Sequence, residues 1–361
     1  MTAMAARTFR SGGRLSIAAN RGDIGGGELM LLRLAPALRD LGYDVTVVAP
    51  TTPGDLAHEA SARGLRVEAL PCRDRVGYAR ALRHWDRARE GLLWCNGLLP
   101  AWATSGRPGR VVHLHQQPLG WQQPLAVVAR RGALVTVVPS AYLSAQVPGS
   151  VVLPNWTDEI GLVPRVTQTG RPDLVTIGAL GRIGVEKGTI VLAQACRLLD
   201  AGLRARMRLV IAGDDRFVPA RDQVRVAEAL DSAGVAVERP GWVAPRAFFA
   251  DVDLAVFPSV RPESFGLTAA EGMAAGRPVV VSDAGGLPEV VGPQHPWVAA
   301  RGDAVALAAV VRRAVDALPA TEVVLEQRHR WEQHFSPGAG HRGLAGLLHQ
   351  LSAAGVIESV S

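Results

Sequence analysis

The feature that most constrains the fold is a local unit that repeats: a short apolar strand, a glycine turn, then an amphipathic helix. RLSIAAN (Arg14–Asn20) reads as a buried strand, Gly25–Gly27 as the turn and Glu28–Leu41 as the helix. DVTVVAP (Asp44–Pro50) is a second buried strand, and more are expected at Leu92–Cys95, Val111–His115, Leu134–Pro139 and Val151–Pro154. Strands that are apolar throughout and joined by helices form parallel sheets covered on both faces. The period then fails: Asn155–Pro172 is rich in Pro, Gly, Thr and mixed polar residues, a linker composition. Beyond it the unit restarts with a strand at Leu174–Leu180, a glycine turn and a helix at Thr189–Leu199. Strands are expected again at Met207–Gly213, Val235–Gly241, Leu254–Pro258, Pro278–Ser282 and Pro296–Ala299. The sequence therefore predicts an α/β chain of two doubly wound domains, 1–165 and 166–335, facing a central cleft of the kind that holds ligands. A tail, 336–361, is placed to pack back toward the first domain; Trp331–Leu351 reads as helical, interrupted at Ser336–Gly340.

At 361 residues the chain is long for one domain, and 48% hydrophobic with 20% charged residues suits a well-buried soluble protein. Cys72, Cys95 and Cys196 are far apart and form no metal-finger spacing, so free thiols and a cytoplasmic setting are expected. The N-terminal arginines precede no apolar core of signal-peptide length, and no apolar run approaches the ~20 residues of a membrane span. Contact with an inner membrane surface stays open, because charge is uneven. Residues 1–165 carry 19 Arg against 12 acids, whereas the remainder carries 20 basic residues against 21 acids. The first half is the part suited to meet something acidic.

Of the 39 basic residues, a single one is lysine, Lys187, and it lies in GRIGVEKG (Gly181–Gly188) beside Arg182. The stretch follows the first strand of the second half, at the carboxyl end where such sheets bind ligands. Glycines allow close backbone approach to a phosphate, and two cations neutralise a diphosphate. A second stretch is PSVRPESFGLTAAEGMAAGRPVVVS (Pro258–Ser282). A strand ends here in a loop, and a helix begins near Gly266–Thr268, so the N–H groups of Ser264–Leu267 are suited to an anion. Glu263 lies in the loop and Glu271 on the helix, carboxylates that suit a ligand carrying hydroxyls. Read alone, each glutamate could equally be structural, Glu271 paired in the core and Glu263 capping the helix.

Together these stretches resemble the retaining family 4 glycosyltransferases of the GT-B fold, which has two Rossmann-like domains. The likeness rests on the E-x7-E motif ESFGLTAAE (Glu263–Glu271) with GRIGVEKG upstream, on DVDLAVFPS (Asp251–Ser259) and on GGLPE (Gly285–Glu289). GGGE (Gly25–Glu28) and GYDVTVV (Gly42–Val48) add to it. The resemblance implies a hexosyl transfer from a nucleoside-diphosphate sugar, a co-substrate, without a metal or other cofactor. It implies that Arg182 and Lys187 hold the diphosphate, that Glu271 takes the ribose hydroxyls, and that Glu263 contacts the transferred sugar. Ser264, Phe265, Gly266 and Leu267 would touch sugar and phosphate through their backbone, and Gly25 and Gly26 would line the opposite wall of the cleft. The acceptor, a sugar, lipid or small molecule, would fall to the first domain. The alternatives are a nucleotide-sugar epimerase on the same fold, which needs acid and base carboxylates in the cleft, and a non-catalytic nucleotide-sugar-binding protein.

Other signals are less specific. His113 and His115 in VVHLHQQP should share a face if the strand continues, but no Asp, Glu or Cys nearby completes a metal set. Members of the resembled family often carry a cleft histidine near here, and His115 is the closer fit; the bland reading is a core histidine. Asp251 and Asp253 imitate a D-x-D metal motif but precede a buried strand and read as structural. The basic stretch Arg73–Arg89 reads as a helix with Val76, Ala79, Leu82 and Trp85 on one stripe. It is either a solvated face or a patch for anionic lipid or a phosphate-bearing acceptor. Nucleic acid is not expected, since no stacking platform or recognition module is present.

Overall fold

The structure, a computed structural model, describes residues 12–164, 173–216 and 218–358. Its chain divides into two compact units, one formed by Met1–Asn155 with Gly340–Ser361 and the other by Trp156–Ala339. The later part of the expected linker, 165–172, lies outside the described residues.

The first unit holds seven parallel strands: β1 (Arg14–Ala19), β2 (Asp44–Pro50), β3 (Arg66–Leu70), β4 (Leu92–Asn96), β5 (Arg110–His113), β6 (Ala133–Val138) and β7 (Val151–Val152). Their order is β3-β2-β1-β4-β5-β6-β7. The second unit holds six: β8 (Val175–Leu180), β9 (Met207–Ala212), β10 (Ala236–Gly241), β11 (Leu254–Phe257), β12 (Val279–Ser282) and β13 (Val298–Ala299). They run β10-β9-β8-β11-β12-β13. Each unit thus follows the Rossmann order, with the reversal between its first and fourth strands.

Alternation explains why the central strands are apolar on both faces. In β9, Met207, Leu209 and Ile211 enter one apolar cluster, whereas Val210 and Ala212 enter the cluster on the other face. In β11, Leu254 and Val256 go one way, Ala255 and Phe257 the other. Asp251 and Asp253 brace this sheet, as the structural reading has it. Asp251 pairs with buried Arg208 at 2.5 Å, and Asp253 accepts the Thr176 N–H at 2.8 Å.

Three local expectations shift. The sequence reading passes over β3, an edge strand whose exposed Arg66, Glu68 and Ala69 give it no apolar run. The basic stretch does form a helix, Arg75–Trp85, but its buried stripe is Tyr78, Ala79 and Leu82; Val76 is exposed. Tyr78 turns inward because its hydroxyl finds the carbonyls of Ala19 and Val48, each 3.1 Å away. Strand β5 stops at His113, so His115 lies in the loop beyond it. The tail is helical from Thr321 to His334 and from Pro337 to Ala353, with the break at Phe335 and Ser336.

Candidate active site

At the switch point of the second unit, β8 and β11 lie side by side, and each feeds one of the two singled-out loops. From β8 comes Gly181–Gly188, whose last turn, Val185–Lys187, leads into the helix Thr189–Leu198. From β11 comes the loop to Gly266, which opens the helix Leu267–Ala274. The loops are tied together. The N–H groups of Val260 and Arg261 donate to the Glu186 carbonyl at 2.9 and 3.1 Å. The Arg261 guanidinium pairs with the Glu186 carboxylate at 2.7 Å. Gly188, at φ +77°, lies so close to the Pro258 carbonyl that no Cβ fits between them.

This contact brings Lys187 to Glu263, with Nζ 2.5 Å from Oε1. The Ser259 hydroxyl donates to the same oxygen at 2.6 Å. Ser259 is itself braced, since the Ser282 hydroxyl donates to its carbonyl at 2.6 Å. The backbone of Glu263 is held from the start of the GGLPE turn and the residue before it: its N–H donates to the Ala284 carbonyl at 3.3 Å and its carbonyl accepts from the Gly286 N–H at 2.8 Å. Burial alone would raise the Glu263 pKa, but the Lys187 charge, the bonds from Lys187 and Ser259, and the charge of Arg182 carry it below the usual carboxylate value. Glu263 does not cap the helix: the N-cap is Gly266, at φ +120° and with no side-chain bond. The first turn is therefore left without a side-chain cap, in an arrangement suited to an anion.

Arg182, Lys187, Ser259, Glu263 and Thr268 line one small cavity of ≈ 30 Å³. Beside it, sharing Ile183, is a cavity of ≈ 310 Å³ lined by Asp214, Asp215 and Arg239 at the carboxyl ends of β9 and β10. Ser264 and Leu267 are partly buried. The Phe265 side chain belongs to the core, edge-on to Phe335 at 5.3 Å, so only its backbone is available to a ligand. Glu271 is buried on the helix Leu267–Ala274.

Gly25, Gly26 and His115 belong to the other unit. Gly25 and Gly26 open the helix Gly26–Asp40, after β1. Asn96, at the end of β4, donates through Nδ2 to the Gly27 carbonyl at 2.9 Å, and its Oδ1 lies 2.8 Å from His115 Nε2. That bond assigns the His115 proton to Nε2. The His113 and His115 rings lie 4.0 Å apart, and burial lowers the His115 pKa to about 4. His113 is pushed well down by burial and then by the charge of His115. Glu28 goes the other way: burial, against its backbone bonds and Arg21, raises its pKa to about 7.

Sequence reasoning passes over the roles of Ser259 and Asn96. A polar residue ending an apolar strand is a usable signal for Asn96. Nothing in spacing singles out Ser259, whose partner Ser282 lies at the end of another strand.

Comparison with known proteins adds an independent line. Residues 171–317 match the family profile described as glycosyl transferases group 1, and residues 24–148 match glycosyltransferase family 4. A GDP-mannose-dependent alpha-mannosyltransferase of Mycolicibacterium smegmatis is 28% identical over 312 residues, 75% of this chain and 79% of that one. The amylovoran biosynthesis glycosyltransferase AmsK of Erwinia amylovora is 29% identical over 199 residues, 48% of this chain and 44% of that one. The match thus spans less than half the length of AmsK. The fold is that of the Anabaena protein HepE, solved with UDP-glucose: TM-score 0.81, 21% identity, 94% of this chain and 100% of that one.

Proposed function

We propose that this chain, which belongs to the family 4 glycosyltransferases of the GT-B fold, transfers a hexose from a nucleoside-diphosphate sugar with retention at the anomeric carbon. The observation that carries the reading is the grouping of Arg182, Lys187 and Glu263 around one cavity at the switch point, beside an uncapped helix N-terminus. Arg182, Lys187 and the helix N-terminus supply positive charge where the departing diphosphate gathers negative charge. Glu263 takes a hydroxyl of the transferred sugar and favours positive charge at its anomeric carbon. Glu271 takes the ribose, and the larger cavity takes the base. Same-face attack assisted by the leaving phosphate accounts for retention without a covalent nucleophile. Because protein groups carry the neutralising charge, the rate should be unchanged by a chelator. Gly25 and Gly26 are assigned to donor binding and His115 to catalysis.

The test is a panel of nucleoside-diphosphate sugars read by melting temperature and by release of the nucleoside diphosphate. At a donor concentration one hundred times its Kd, binding to the native state adds about 2.7 kcal/mol of stability. One donor should raise the melting temperature and be slowly hydrolysed. A panel in which none does either sinks the reading.

The acceptor or its carrier is proposed to be anionic. Arg73, Arg80, Arg83 and Arg87, all exposed, crowd the basic helix and its flanks, next to exposed Val76. Anionic vesicles should then sediment the protein at low salt, and not at salt high enough to screen exposed charges beyond ~3 Å, about 1 M. Equal sedimentation with neutral vesicles leaves a solvated helix face.

A further inference from the structure

The carboxylate of Glu263 is divided between two kinds of partner. The Lys187 ammonium and the Ser259 hydroxyl both take Oε1, at 2.5 and 2.6 Å, and Oε2 has no hydrogen-bond partner among the described residues. Ser259 is buried, lines the same cavity and is fixed through its carbonyl by Ser282. Two donors on one oxygen stop the carboxylate from rotating about its last torsion, which is otherwise broad and two-fold. They also favour its ionised form. A lysine alone would do the second but not the first, because a flexible ammonium follows whichever oxygen turns toward it. The hydroxyl comes from a residue two positions past β11, held through its carbonyl by Ser282.

We propose that Ser259 is a positioning residue: it fixes Glu263 so that Oε2, and not Oε1, is the atom that accepts a hydroxyl of the sugar. This rests on the reading of Glu263 as the sugar contact. It deepens that reading by dividing the carboxylate into a structural oxygen and a ligand oxygen. The ligand oxygen can then meet sugar while Lys187 stays on the other, so the ion pair need not break for the donor to enter. Ser282, which touches Ser259 and not Glu263, belongs to the same device.

The experiment compares wild type with Ser259→Ala, Ser259→Thr and Ser282→Ala. The first readout is the titration of the Glu263 side-chain carboxyl by carbon-13 NMR, assigned by the signal lost in Glu263→Gln. It needs no substrate. Ser259→Ala should raise the titration midpoint and Ser259→Thr, which keeps the hydroxyl, should return it toward wild type. The groups that face Glu263 besides Ser259 are Lys187 and, further off, Arg182, and both remain in every variant. The second readout is turnover of the donor that passes the panel above. Ser259→Ala should lower kcat about tenfold, with KM little changed, and move the acid limb of the pH profile upward. Ser282→Ala should do the same more weakly. An unmoved Glu263 titration in Ser259→Ala overturns the proposal even if the protein proves an active glycosyltransferase. So does a kcat that Ser259→Thr fails to recover while its melting temperature matches wild type. If no donor is turned over, an unmoved titration still overturns the proposal, while a moved one leaves the failure with the reading of Glu263 as the sugar contact.

Discussion

The two units share one strand order and shift the buried titratable groups at their switch points in opposite ways. In the second, charges are kept and paired: Lys187 with Glu263, Arg261 with Glu186. Glu263 is held ionised, with its pKa below the usual value. In the first, Arg21 and Asp23 still pair at 3.0 Å ahead of the glycine turn, but the groups buried near it are pushed toward their neutral forms: His115 falls to about 4 and Glu28 rises to about 7. Topology places a ligand at the carboxyl ends of both sheets. What surrounds that place decides which ligand. A site that preserves cations suits a diphosphate. One whose buried groups are pushed neutral suits uncharged hydroxyls.

The largest expected effect tests whether the charged site depends on the contact between its loops. Gly188→Ala puts a Cβ against the Pro258 carbonyl at a residue with φ +77°, and neither backbone can yield easily. We expect a loss of about 3 kcal/mol or more, because a strained conformation and a backbone clash add. The contrast is Gly25→Ala in the first unit. Its φ is −124°, and a Cβ would sit 3.4 Å from Glu28 Oε2, ordinary contact. That variant should unfold within about 0.5 kcal/mol of wild type. Urea titrations of the two proteins check this. Equal losses would mean that Gly188 is not what welds the loops.

The next effect separates the two glutamates. Glu263→Gln keeps shape and removes charge, so kcat should fall about a hundredfold, the scale of one preorganised electrostatic contact. Affinity for the nucleoside diphosphate should hardly change. Glu271→Gln should instead weaken the nucleoside diphosphate and the intact donor together, since ribose contacts serve ground and transition states alike. Calorimetry beside steady-state rates reads both. The reverse pattern would exchange the two roles.

These expectations show which parts of the molecule are legible in a sequence. Buried parallel strands announce themselves because both faces are apolar, so β2 falls on its expected residues, Asp44–Pro50. The edge strand β3 has no such signal, because one row of its residues faces water. The charged site is partly legible because Lys187 is the chain's single lysine and because the glycines around it have few other uses. That Lys187 and Glu263 meet is not legible, since 76 residues separate them. Ser259 is less so: a serine after a strand is ordinary until its neighbour in space is known. His113 and His115 fit the alternation argument for a different reason than expected. Strand β5 ends at His113, and the rings meet across the start of a loop.

The smallest effect carries the opposite sign and tests the charge-poor side of the comparison. Glu28 is 4% exposed, and its pKa rises from 4.5 to about 7, chiefly because burial penalises the carboxylate. The folded state therefore holds its proton where the unfolded chain has lost it. Stability from this group is fully present below 4.5 and is lost as pH rises through about 7. Glu28→Gln keeps a neutral side chain at every pH, and its amide oxygen can accept the same backbone bonds. The variant should match wild type near pH 4.5 and exceed it at pH 8 by about 3 kcal/mol. Urea unfolding at the two pH values reads the difference directly. An equal effect of the substitution at both would mean that Glu28 stays ionised in the folded chain, with Arg21 and Arg75 as counter-charges. The first unit would then keep charge at its switch point as the second does, and the contrast between them would have to rest on the histidines alone.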